Sequence, residues 1–456
     1  MYAFDPAPGA KATLKERFVW MLFMGIFFFL LYGSANQYAG LSGPHPSLFM
    51  AWEREIPFVE AFIVPYMSSD LLFCIAFLLP YTRFELRVLA ARVLFIIAVS
   101  VGCFVLFPLQ VGFEKPEIGT FHVLFGMLEA DLPYNQAPSL HIGFAVVLWA
   151  SMRTHLRHPL LKGALALWFW LIALSTLLVY QHHFIDLPTG AAVGLASFYA
   201  VPAGRPSLLT RGFTTPRSLK MGLYYLLGAA ACIVGAFFAG AAAVVPLWVG
   251  ASLLAVSVVY AFGLEGVVRS RTGEGRVTLP RWALFFPYFA GNYLSWRYYR
   301  GKLPLVSHVR EHVYIGRYPG NDEYDGLRDL GIERTIDLAA EQPFHKGTLP
   351  RRHVPLLDQT IQSPETLHKV VEAIASDGRP VDVHCALGLS RSVLAVSAWL
   401  MYRGCSYEEA EAVMRRVRPG YVRAPYMRIT LELYEAYLAR SGQHASETVS
   451  SVSPGR

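Results

Sequence analysis

Eight apolar runs, separated by short loops, fill most of the first 264 residues. Phe18 to Ala35 carries no charged residue at all, and further runs lie at 57–80, 88–108, 139–153, 160–181, 185–202, 221–240 and 243–264. A helix needs roughly 20 mostly apolar residues to cross the hydrocarbon layer of a membrane. Inside lipid the backbone must satisfy its own polar groups, so such runs can only be helices. The fourth run is the shortest. The chain is 54% hydrophobic and 16% charged, whereas a soluble domain carries about a quarter charged residues. The expectation is an all-α polytopic membrane region of about eight transmembrane helices.

The loops orient those helices through the bias of Lys and Arg toward the cytoplasm. Lys11, Lys15 and Arg17 precede the first run. Arg83, Arg87 and Arg92 follow the second, Arg153, Arg157 and Lys162 the fourth, and Arg205, Arg211, Arg217 and Lys220 the sixth. The alternate loops hold only Arg54 and Lys115. Both ends of the chain are therefore expected on the cytoplasmic side of a bacterial-type inner membrane. The net charge of +7 sits in these loops, which argues for a membrane surface and against nucleic acid. The first run lacks a small-residue cleavage site, so no cleaved signal peptide is expected. Cys74, Cys103, Cys232, Cys385 and Cys405 show no pairing or metal-ligand spacing. Neither a disulfide framework, a metal nor a cofactor is expected, and the oligomeric state is not legible.

Beyond Leu264 the pattern changes. PRWALFFPYFAGNYLSWRYYRGK mixes aromatic and basic residues as interfacial segments do. From Pro304, short β-rich runs (VYIG, RTIDL, HVPLL, VDVHC) alternate with helical stretches at 363–377, 391–403, 406–417 and 424–440. That alternation predicts a soluble α/β domain. The expected organisation is a membrane domain at 1–203, an extra transmembrane helix pair at 204–265, an interfacial linker at 266–303, the α/β domain at 304–441 and a disordered tail at 442–456.

In HCALGLSRS, Cys385 ends a buried-looking strand and Arg391 opens a helix. Backbone N–H groups at a helix N-terminus can cradle a phosphate, and the same setting favours a thiolate. Arg391 can clamp two phosphoryl oxygens with its planar fork. Gly388 permits the tight turn and Ser392 can hydrogen-bond the sulfur. These residues resemble the dual-specificity phosphatase family, whose signature is His-Cys, five residues, Arg, then Ser or Thr. The resemblance spans roughly 304–440. It implies a cysteinyl-phosphate intermediate and an upstream aspartate as general acid. Asp358, 27 residues before the cysteine, matches that position; Asp337 competes for it but sits at a strand end, where a structural role is expected. The variable loop positions are Ala386, Leu387 and Leu389. Relatives that act on inositides tend to carry Lys or Arg there, so a less charged phosphate ester is expected, on a lipid or on a protein.

A second constellation is split along the chain. NQAPSLH ends at His141, and QHHFIDLPTG carries His182, His183 and Asp186. The separation of 41 positions from His141 to His182 suffices for one helix out and one back, which returns both histidines to one membrane face. By the charge bias that face is the outer one. Two imidazoles and a carboxylate suit phosphoryl transfer through histidine. The pattern resembles the type 2 phosphatidic acid phosphatase superfamily over roughly 55–202, with its Pro-Ser-Gly-His and His-x-x-x-Asp motifs. The resemblance implies His182 as nucleophile, Asp186 as its orienter, His141 as acid, and Ser139 and Lys115 as phosphate-binding residues. Leu140 replaces the motif glycine, and Thr176 stands where the family has an arginine. Pro-Ser-Leu-His with His-His-Phe-x-Asp looks closer to the inositol-phosphorylceramide and sphingomyelin synthase branch, which transfers headgroups between lipids, and the missing arginine speaks against hydrolysis of a bare phosphomonoester. Asp70 and Glu60 fall within the second run, where carboxylates usually face an interior or a water path.

The expected protein is thus a bifunctional inner-membrane phosphatase or phosphotransferase that meets membrane lipids and a phosphorylated lipid or protein. The alternatives are a membrane-tethered protein phosphatase, or a phospho-binding module with a non-catalytic membrane half; a transporter fits the two motifs less well.

Overall fold

The computed structural model describes residues 10–128, 131–204, 207–210, 212–268, 278–342 and 347–441. Arg205 and Arg211, part of the charge argument, and the tail at 442–456 lie outside them. The chain divides into two compact units after Gly212.

The first unit is helical: α1 (Leu14–Leu41), α2 (Ile63–Leu78), α3 (Arg83–Leu106), α4 (His122–Leu128), α5 (Leu140–Met152), α6 (Pro159–Leu178) and α7 (Asp186–Ala200). Thr13 and Thr82 start α1 and α3 with capping boxes to Glu16 and Glu85, satisfying backbone donors that have no partner within the helix. α3 packs against α1, α5 and α7, and α5 packs against α7. Gly143, Gly190 and Gly194 make the α5–α7 contact close. A Cβ on Gly194 would lie 2.9 Å from the Gly143 carbonyl oxygen, and one on Gly190 would collide with the Ser139 carbonyl. Small residues at a helix interface let backbones approach.

Among the described residues, six helices are long and apolar enough to cross a membrane: Leu14–Leu41, Glu60–Leu78, Arg83–Leu106, Pro159–Leu178, Pro216–Ala236 and Gly240–Phe262. The expected fourth and sixth spans are α5 and α7, of 13 and 15 residues, and they fall short of that length. Glu60 does not lie within a helix interior. It sits in a 3-10 turn ahead of α2, and its carboxylate accepts from the backbone N–H groups of Gly119 (2.8 Å) and Thr120 (3.0 Å). Asp70 lies on α2 and is exposed.

The second unit opens with α8 (Pro216–Ala236), α9 (Val244–Phe262), α10 (Glu265–Val268) and α11 (Leu279–Arg300). α8 packs along α9, and α9 packs against α11. The segment expected to be an interfacial linker is, in its described part, largely this last helix. Phe285, Tyr288, Phe289 and Trp296 are its buried residues; their spacing places them along one helical face. Trp248 of α9 donates to the Ala283 carbonyl at 2.7 Å and stacks on Phe286.

The α/β part follows: β1 (Val306–Arg310), β2 (Val313–Arg317), α12 (Tyr324–Asp329), β3 (Arg334–Ala339), β4 (Arg351–Leu356), α13 (Pro364–Ala375), β5 (Val381–Cys385), α14 (Arg391–Tyr402), α15 (Tyr407–Val417) and α16 (Pro425–Ser441). The sheet order is β1-β2-β5-β3-β4. β1 pairs antiparallel with β2 and the other pairings are parallel. β5 lies between β2 and β3 with all five residues buried. Trp399, Val396 and Leu400 of α14 pack into the core with Val383, Ile336 and Leu367. The sheet is thus mixed, and its central strand ends at Cys385, where parallel α/β sheets present ligand sites.

Candidate active site

Cys385 is 2% exposed at the end of β5, and residues 386–390 turn the chain into α14. Gly388 has φ +72°, and a Cβ there would meet the Gly316 carbonyl at 2.6 Å. Only glycine serves at such a place. The loop is pinned on both sides: Tyr318 N–H donates to the Ala386 carbonyl (3.3 Å) and Val422 N–H to that of Leu389 (2.8 Å). Ser392 Oγ lies 3.4 Å from Cys385 Sγ. Below the loop, His384 Nδ1 lies 2.8 Å from Asp382 Oδ2.

Arg391 lies across the loop with its side chain buried. Nη1 donates to Glu341 Oε2 (2.7 Å) and to the Leu356 carbonyl (3.1 Å), and Nη2 pairs with Glu341 Oε1. Its Nε is 3.3 Å from Asp358 Oδ1. Burial disfavours the cation, but Glu341 and Asp358 outweigh it and hold the Arg391 pKa well above its ordinary value. Asp358 also accepts from Ser390 Oγ at 2.9 Å, and that hydroxyl lies 3.0 Å from Tyr426 Oη. Thr360 and Gln362 donate to the Leu357 carbonyl and so shape the turn that carries Asp358. Asp337 is elsewhere. It is fully buried on β3, paired with Arg351 at 3.0 Å, and accepts from the Ala339 N–H.

Cys385, Arg391, Asp358 and Ser390 line a cavity of about 410 Å³. Sequence reasoning gathered Cys385, Arg391, Asp358, Gly388 and, against the sulfur, Ser392; it passed over Ser390 within the loop itself and missed Glu341 and Tyr426. Neither stands in a motif. Glu341 lies 50 residues from its partner and only folding brings them together.

The first unit assembles the second constellation. Asp186 starts α7, and its Oδ2 lies 3.1 Å from His182 Nδ1 while accepting from the His183 N–H at 2.9 Å. The other ring nitrogen, His182 Nε2, lies 3.1 Å from Ser139 Oγ. His141, in the first turn of α5, has its ring centroid 5.7 Å from that of His182 and 4.5 Å from that of Tyr66. Ser139 N–H donates to the Asp186 carbonyl, so the starts of α5 and α7 are tied directly. Thr176, at the arginine position of the resembled family, is buried; its hydroxyl donates to the Ala173 carbonyl at 2.8 Å, and its carbonyl accepts from the N–H groups of Gln181 and His182.

Lys115 lies in an exposed stretch, and its charge favours the ionised form of Asp131. Burial pushes the Asp131 carboxyl up from its ordinary pKa. Tyr32 Oη donates to it at 2.8 Å and Asn36 Nδ2 at 2.5 Å. Asp131, Tyr32 and Asn36 carried no motif in the sequence. Nor did Glu53, which is buried, accepts from the Phe184 N–H at 2.8 Å and lies 3.5 Å from His183 Nδ1.

Residues 313–436 match the family described as dual specificity phosphatase, catalytic domain, so the chain carries such a domain. Dual specificity protein phosphatase 12 of Mus musculus is 34% identical over 141 residues, which cover 28% of this chain and 40% of that protein. Protein phosphatase Slingshot homolog 3 of Homo sapiens is 29% identical over 157 residues, covering 33% of this chain and 24% of that one. The chain therefore spans less than half the length of these curated relatives. Among solved structures, Tk-PTP in its active form is similar at 30% identity, with 29% of this chain and 97% of that chain covered and a TM-score of 0.28.

Proposed function

We propose that this is a multi-pass inner-membrane enzyme with two phosphate-handling centres. The cytoplasmic centre hydrolyses phosphomonoesters at Cys385. The thiolate attacks phosphorus, an S–P bond forms, and the P–O bond to the leaving group breaks while Asp358 gives that oxygen its proton. Water then attacks phosphorus, Asp358 takes its proton, and the S–P bond breaks to release phosphate. Arg391 and the loop N–H groups hold the phosphoryl oxygens throughout. The observation that carries this reading is the meeting of Cys385, Arg391 and Asp358 around one cavity, with Ser392 against the sulfur.

The second centre acts on lipid phosphate esters. The Asp186 carboxylate accepts the Nδ1 proton of His182, which leaves the lone pair on Nε2 for attack on phosphorus. His141 protonates the leaving oxygen. Ser139 and Lys115 bind the phosphate. In the first step the N–P bond forms as the P–O bond to the leaving group breaks; an acceptor hydroxyl, from water or from a second lipid, then attacks phosphorus, His141 takes its proton, and the N–P bond breaks. The distribution of Lys and Arg supports an extracytosolic location for this centre and cytoplasmic termini. It also supports a membrane crossing for the six long helices.

Cys385→Ser in the full-length protein should abolish hydrolysis of a generic aryl phosphate, and unchanged turnover would refute the thiolate reading. Lipid mass spectrometry of cells carrying His182→Ala or Cys385→Ser separates the centres. Two different accumulating phospholipids are expected. An unchanged lipid profile for His182→Ala would refute the second centre.

A further inference from the structure

The phosphatase cavity has a wall that residues 313–436 do not supply. Tyr225 of α8, Tyr260 of α9, and Tyr288 and Asn292 of α11 line it together with Cys385 and Arg391. Tyr260 and Tyr288 are 2% and 9% exposed. The Tyr225 ring lies 5.1 Å from that of Tyr260 and 6.0 Å from that of Tyr288. The three rings therefore form one cluster facing the thiol.

This wall is fastened to the phosphatase loops. Arg217, in the first turn of α8, donates to the Gln359 carbonyl (3.0 Å) and to Gln359 Oε1 (3.1 Å), beside Asp358. Its guanidinium also lies over the Tyr426 ring at 5.6 Å. At the far end of α11, Trp296 Nε1 donates to the Tyr318 carbonyl at 2.9 Å, and Arg300 pairs with Glu323 at 3.3 Å.

We propose that Tyr225, Tyr260 and Tyr288 form a substrate subsite that takes the hydroxylated headgroup of a lipid ending in a single phosphomonoester. The proposal rests on reading Cys385 as the nucleophile. Three features select this chemistry. Among the described lining residues Arg391 is the only cation, and Glu341 and Asp358 already face it. A second phosphate would thus meet Glu341 and Asp358 with no further cation among the described lining residues, an arrangement that like-charge repulsion disfavours. Phenol hydroxyls both donate and accept, so neutral alcohols are their natural partners. Finally, α8 and α9 belong to segments long and apolar enough to cross a membrane. A headgroup at this wall would keep its acyl chains in the surrounding bilayer.

Full-length protein in mixed micelles would be assayed on three probes against an aryl phosphate. The probes are a phospholipid with a glycerol-phosphate headgroup, the water-soluble polyol monophosphate without acyl chains, and a phosphotyrosine peptide. The lipid is expected to give the highest kcat/KM. Combined Tyr225→Phe, Tyr260→Phe and Tyr288→Phe should lower the ratio of lipid to aryl phosphate kcat/KM at least about tenfold, the scale of one or two lost neutral hydrogen bonds. An unchanged ratio would overturn the subsite. So would a wild-type preference for the free polyol phosphate or the peptide, a result that needs no variant to fold. Failure of the underlying reading shows separately, as aryl phosphate turnover that survives Cys385→Ser.

Discussion

Arg391 is 3% exposed and remains charged because Glu341 meets it through both oxygens. Removing one member of a buried pair leaves an uncompensated charge and costs about 3 kcal/mol or more. Glu341→Ala should therefore lower the thermal midpoint of the full-length protein. With the clamp misplaced, aryl phosphate kcat/KM should also fall about 100-fold. A wild-type melting curve would refute the pair as a structural anchor. Asp358→Asn tests the proton donor. Turnover of an alkyl phosphate should drop by about 100-fold or more, whereas an aryl ester with an acidic leaving group should lose much less. Equal losses on both would argue that Asp358 only positions Arg391. At this scale the sequence was legible wherever a motif carries its residues close together, as from Cys385 to Ser392. It was silent on Glu341 and Asp131, whose partners lie far along the chain.

At the scale of elements, the strands VYIG, RTIDL, HVPLL and VDVHC became β2 to β5, and the four expected helices of the α/β region became α13 to α16. β1 escaped notice because VSHVR is a half-exposed edge strand with a weak apolar alternation. The composition of the basic aromatic segment did not reveal that it forms a helix with the row Phe285, Tyr288, Phe289 and Trp296 buried. Close approach of α5 and α7 depends on Gly143, Gly190 and Gly194. Gly190→Val should push the two helices apart and separate Ser139 from His182. The expected result is loss of lipid phosphate turnover at the histidine centre while Cys385-dependent aryl phosphate hydrolysis persists. Retained lipid turnover would show that the close packing is dispensable.

For the whole molecule, the proposal of two centres is a statement about sidedness. Single cysteines in a background without reactive thiols should answer it. Positions in 42–59 and 107–121 should react with a membrane-impermeant maleimide added outside intact cells. Positions in 153–158 and 301–304 should react only after permeabilisation. Labelling of both sets from outside would refute the arrangement.

The sequence by itself determined the apolar helices, the α/β pattern and the phosphatase loop, because each is written in residues within a few turns or one strand of one another. Tertiary structure alone decided that Glu341 neutralises Arg391, that Ser139 meets His182, and that tyrosines from three other helices face Cys385. These are contacts between segments up to about 160 residues apart, and short-range periodicity carries no information about which distant side chains a folded backbone will bring together.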